Sequence, residues 1–137
     1  MKAVERRTFA ADGREFRRIS DWWRGWAARA GLSDDASHGG ELCLNEAVGN
    51  IVQHRGDDAA PQPIGITLER VARGARITVT DHGRAFNPLA YTPPDPPHSL
   101  NEAPVGRLGI RLIRTYAAST EYRRENDQNV LILTLDC

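Results

Sequence analysis

The chain has 137 residues, with 18 basic and 18 acidic side chains and no formal net charge; 17 of the basic residues are arginine, and Lys2 is the single lysine. With no lysine mid-chain, a G-x-x-x-x-G-K-S/T phosphate loop, a protein-kinase strand lysine and Schiff-base lysine chemistry are excluded. Any handling of phosphate must rest on metal, backbone amides and arginine, and the zero charge argues against a general nucleic-acid binder.

Residues 3–10 read as a short strand before the Asp12-Gly13 turn signal. From Arg14 to Ala30 the pattern turns helical: Phe16, Ile19, Trp23, Trp26 and Ala30 recur at spacings of three or four, and Gly31 closes the helix. Trp22 falls off this stripe and reads as core-edge packing, with a protein contact as the other option. Ser33 or Asp34 can cap a second helix through Leu44, Ala47, Val48 and Ile51 to about His54. A Gly/Asp/Pro-rich loop follows over 56–63. Ile64, Ile66 and Leu68 then alternate, as do Ile77 and Val79, with Arg73-Gly74 between them, which is a hairpin pattern.

After Asp81 regular structure stops for roughly two dozen residues, and 82–106 holds six of the chain's eight prolines. Loops of that length are usually lids or binding segments; a disordered insertion is the alternative. Leu108 to Ala117 reads as a third helix, and 119–126 and 129–135 as a last pair of strands. With no repeat, linker or second domain, 1–137 is expected to be one domain. No apolar run is long enough for a membrane span or a signal-peptide core. Two cysteines, Cys43 and Cys137, make no disulfide framework. The expectation is therefore a cytoplasmic protein with no membrane association and with Cys43 an ordinary semi-buried thiol.

Charge is unevenly spread: residues 1–30 carry eight basic and four acidic groups, whereas 31–60 carry one basic and six acidic. The acidic segment contains the first of three motifs. Glu46, Asn50 and His54 lie at i, i+4 and i+8, within about an 80° strip of one helix face, while the apolar stripe faces elsewhere. A carboxylate one turn from an amide suits magnesium better than zinc; a solvated polar face is the alternative. His54 reads as helix-end packing or dipole complementarity. The second motif is Asp81-His82-Gly83-Arg84-Ala85-Phe86. Strand parity puts Asp81 on the side of Ile77 and Val79, where a carboxylate needs a donor. Gly83 lets a planar group approach. The third is Gly106-Arg107-Leu108-Gly109 at the start of the third helix, where backbone N–H groups and the dipole favour an anion, with Arg107 and Arg111 in support. Each has a bland reading alone, but the order of the set carries weight.

In these motifs the chain resembles the GHKL (Bergerat-fold) group of ATP-binding domains, and within it the small bacterial anti-sigma-factor serine kinases of partner-switching systems. Glu46 and Asn50 match the group's N box, Asp81-x-Gly83 its first glycine box and Gly106-x-x-Gly109 its second. The resemblance implies an α/β two-layer sandwich, helices on one face of a mixed, mostly antiparallel sheet. It implies ATP and Mg2+ as cofactors, with Asn50 carrying the metal and Glu46 as general base. Asp81 would accept from the adenine amino group, Gly83 and Phe86 would lie at the base, and Gly106, Arg107, Leu108 and Gly109 would hold the phosphates under a lid within 82–106. Many relatives have Gly-Thr before the last strand, where this chain has Gln128-Asn129, so Asn129 is the candidate for that adenine contact. The implied function is a serine/threonine protein kinase acting on a STAS-domain antagonist and alternately binding a sigma factor or other regulator, with a homodimer as an open possibility. Two alternatives remain: a catalytically silent, nucleotide-gated binding module, and a separated histidine-kinase catalytic domain.

Overall fold

Three runs of core-facing residues at period two settle the sheet. The computed structural model describes residues 4–54, 63–89 and 109–136, with side chains at all of these except 54 and 109–112. β1 (Val4–Ala10), β2 (Pro63–Val71), β3 (Gly74–Asp81), β4 (Ser119–Glu125) and β5 (Gln128–Asp136) form one sheet in the order β1-β2-β3-β5-β4. Every described pairing is antiparallel. The two-layer sandwich is as the resemblance implied, and its described strands include no parallel pair.

The register sets Ile66 opposite Val79, Leu68 opposite Ile77, Ile77 opposite Leu133 and Val79 opposite Leu131. Because side chains alternate across a strand, these residues share one face, and all are buried. The face is covered by α1 (Phe16–Arg29) and α2 (Asp34–His54), and α3 (Gly109–Tyr116) packs against α2.

α1 buries Ile19, Trp23 and Trp26 as its spacing predicts, and Trp22 as well, at 5% exposure. Trp22 belongs to the core edge: its ring lies 5.6 Å from that of Phe9 on β1, and its Nε1–H donates to Glu5 at 3.0 Å. α2 opens with Ser33 accepting from the Ala36 N–H at 3.1 Å, and Asp34 and Asp35 lie in its first turn, where the dipole favours them. Gly40 leaves room on α2 for a large side chain of α1. A Cβ there would overlap the Trp23 ring and sit 2.8 Å from Leu135 Cδ1. The Trp23 indole also donates to the Ser37 carbonyl at 2.7 Å, so its polar edge is satisfied.

The β4–β5 turn uses Asn126 and Asp127, both left-handed at φ 53° and 59°. That is the hairpin geometry short polar residues tolerate. It fixes the pairs Tyr122 with Leu131 and Arg124 with Asn129, which brings Tyr122, Arg124 and Asn129 toward the end of β3.

Candidate functional site

The site lies where the C-terminal half of α2 faces the ends of β3 and β5. Ala47, Asn50 and Ile51 from α2, Val79 and Asp81 from β3, the segment Gly83 to Pro88, Tyr122 from β4, and Asn129 and Leu131 from β5 enclose about 430 Å³, including the part open to solvent. Its lining is mostly apolar with a few placed polar groups, the character of small-molecule pockets. Ala47 and Ile51 share the pocket with Asn50, so the apolar stripe of α2 does not face wholly elsewhere as its spacing suggested.

Two polar atoms on α2 stand out. Glu46 Oε2 and Asn50 Nδ2 are buried and have no hydrogen-bond partner among the described residues. Asn50 is only 5% exposed, and it lines the pocket. Leaving such groups unpaired costs roughly 1–3 kcal/mol each, a cost that a ligand making those bonds would recover. Burial pushes the Glu46 carboxyl above its ordinary value. Cys43, one turn earlier, is fully buried rather than semi-buried. Burial first, and then the Glu46 charge, raise its thiol to about 12, which keeps it protonated and inert.

The amide–carboxylate pair fits magnesium. The Asn50 carboxamide oxygen is a hard donor one turn from the Glu46 carboxylate, and magnesium commonly binds through one or two protein oxygens with water and substrate phosphates completing its shell. The unpartnered Asn50 Nδ2 is an N–H donor, suited to an acceptor such as a phosphate oxygen and not to the metal itself. The described residues contain no cluster of three or more His, Cys, Asp or Glu that could hold a metal by themselves.

At the opposite wall Asp81 is 7% exposed, as strand parity required. Its Oδ1 accepts from the Gly83 N–H at 2.9 Å and from Asn129 Nδ2 at 3.1 Å. Gly83 is needed for that turn, since a Cβ there would lie 2.9 Å from the same oxygen. Arg124 donates to the Gly83 carbonyl at 2.8 Å, and His82 and Gln128 meet at 3.3 Å, so the β4–β5 hairpin grips the whole segment after β3.

Asn50, Asp81, Gly83 and Phe86 thus line one pocket, with Glu46 one turn from Asn50. Gly109 is the first residue of α3. Gly106, Arg107, Leu108, the Arg111 and His54 side chains and the lid beyond Leu89 lie outside the described residues. Asn129 is in the pocket wall, but its polar atoms are all bonded to protein, so in this arrangement it does not take over the adenine contact expected of it. Tyr122 and Arg124 were not singled out from the sequence. The available signal was the register: Asn129, a core-parity amide, sits opposite Asp81, a core-parity carboxylate.

A family model described as a histidine kinase-like ATPase domain matches residues 9–135. Among characterised proteins, the chain is similar to the serine/threonine-protein kinase BtrW of Bordetella bronchiseptica, 34% identical over 93 residues. That alignment covers 68% of this chain and 66% of BtrW, just under two thirds of its length. Among solved structures, it is similar to the histidine kinase domain of a blue-light-activated histidine kinase from Erythrobacter litoralis, with a TM-score of 0.55 and 18% identity over 93% of this chain and 61% of that one. At that identity the likeness concerns the fold.

Proposed function

The chain belongs to the histidine kinase-like ATPase domain family, and from that premise we propose that it is an ATP-dependent serine/threonine protein kinase. Its substrate in this reading is a STAS-domain antagonist, and it alternately holds a sigma factor or another regulator. One observation carries the proposal: two buried, unpartnered polar atoms, on Glu46 and Asn50, sit one turn apart beside a pocket whose far wall holds the buried Asp81.

The residues divide the work. Asp81 accepts from the exocyclic amino group of the base, which stacks on the apolar walls near Val79, Phe86 and Leu131. The Asn50 carboxamide would hold magnesium, which when bound neutralises charge on the phosphate oxygens. Glu46 takes the proton of the attacking hydroxyl. As that oxygen bonds to the γ-phosphorus, the bond to the β–γ bridging oxygen breaks and ADP leaves. Such transfer asks the protein mainly for positioning and charge stabilisation. The similarity to a protein named as a serine/threonine kinase supports the choice of acceptor, and acid-stable phosphate on the product would distinguish it from phosphohistidine.

The test is incubation with magnesium-ATP and candidate STAS-domain proteins, followed by mass measurement of the partner. Phosphate on serine or threonine is expected. ATP binding with no transfer to any such partner would reject the kinase reading in favour of a nucleotide-gated binding module.

A further inference from the structure

We propose that Asn129, held by the Tyr122 hydroxyl, is a positioning residue that sets nucleobase selectivity by fixing which oxygen of Asp81 is left to the ligand. The inference rests on the reading of this pocket as a nucleotide site.

A carboxamide offers two N–H donors and a carbonyl with two acceptor positions. Asn129 uses all four. Its Nδ2 donates to Asp81 Oδ1 at 3.1 Å and to the Arg84 carbonyl at 2.8 Å. Its Oδ1 accepts from the Phe86 N–H at 3.2 Å and from the Tyr122 hydroxyl at 2.5 Å. The orientation is forced, because the Phe86 N–H can only donate and the Arg84 carbonyl can only accept. Turning the amide over would set an oxygen against the Asp81 and Arg84 oxygens and an N–H against the Phe86 N–H, in a site where Asn129 is 6% exposed.

The consequence falls on Asp81. Gly83 N–H and Asn129 Nδ2 both end on Oδ1, and no described hydrogen bond reaches Oδ2. An ionised carboxylate only accepts, so a ligand group meeting Oδ2 must be a donor. A 6-amino purine supplies one. A 6-oxo purine sets an oxygen against an oxygen and leaves both unpaired. Sites with buried groups matched to one partner can reject the mismatched analogue strongly. Asn129 therefore acts on the base through Asp81 and not by touching it.

The experiment is calorimetric binding of magnesium-ATP and magnesium-ITP, which carries the 6-oxo group, to the full chain and to Tyr122→Phe and Asn129→Ala. The wild type is expected to prefer ATP by about 100-fold or more. Tyr122→Phe should weaken ATP by about 5- to 10-fold and leave ITP nearly unchanged, as loss of one hydrogen bond predicts. Asn129→Ala should reduce the preference to below about 10-fold. Melting without ligand checks folding; should Asn129→Ala fail to fold, Tyr122→Phe, which keeps its ring, decides alone. Equal weakening of both nucleotides, or a preference that stays at the wild-type value, overturns the inference while leaving ATP binding intact. A wild type that prefers ATP but phosphorylates no protein overturns the kinase reading and leaves this one standing. A wild type that binds neither nucleotide, or both alike, overturns the inference.

Discussion

Replacing Glu46 with glutamine keeps the size of the side chain and removes its charge, which separates its chemistry from its cost to the fold. Burial raises the Glu46 carboxyl above the ordinary value of 4.5, and Oε2 is buried without a described partner. The ionised form is therefore disfavoured in the folded chain. A carboxyl raised on folding contributes stability that is fully present below about pH 4.5 and is lost as pH rises through its folded value. At neutral pH the wild type then carries a penalty that the glutamine variant lacks. Because the group is only half-buried, solvent screening holds this to about 1 kcal/mol, or about 2–4 °C in melting temperature for a domain of this size. The assay is thermal melting of both proteins at pH 4, 5.5 and 7.5. Glu46→Gln should melt higher at pH 7.5, with the gap closing toward pH 4. Phosphoryl transfer should fall by about 100-fold or more while ATP affinity stays within a few-fold. A variant that melts lower than wild type at pH 7.5, by a margin independent of pH, would refute the reasoning and make Glu46 a satisfied structural carboxylate.

Three further outcomes follow from named contacts. Asn50→Ala should weaken ATP binding by about 10-fold or more in magnesium and much less in EDTA; equal losses in both buffers would remove Asn50 from the metal. Gly40→Ala should destabilise the fold by about 1–3 kcal/mol in urea, because its Cβ would overlap the buried Trp23 ring and press on Leu135. Cys43, with its thiol near 12, should react with thiol reagents at pH 8 only as fast as the chain unfolds, read by mass of the Cys43 peptide.

Much of the sheet and the helix spans was legible because burial acts through period. Ile64, Ile66 and Leu68, like Leu131, Leu133 and Leu135, must face one way once one of them is buried. The same parity placed Asp81 on the core side. Trp22 escaped the helical stripe because its burial comes from Phe9 on an edge strand, a contact with no signature in helical spacing. Gly40 escaped because a glycine that admits a neighbour's ring reads in sequence like any weak helix former. The Tyr122–Asn129 pair was hidden for a third reason. It depends on a two-residue turn that sets the β4–β5 register, and a shift of one residue would send Tyr122 to the other face, away from Asn129.

The site costs the fold something. Across the described residues, buried polar groups are mostly answered: Trp23 by Ser37, Trp22 by Glu5, Asn129 four times over. The unanswered side-chain atoms are Glu46 Oε2 and Asn50 Nδ2, one helical turn apart on the same face. Random imperfection would scatter such atoms, whereas a binding site concentrates them, because the groups that meet a ligand cannot be satisfied by protein first. The opposite wall shows the complementary arrangement, with Asp81 tied down through one oxygen only. A chain with a single lysine at its second position has no mobile ammonium for these groups nearby in sequence. Its unpaired oxygens and amides are left to be met by what binds.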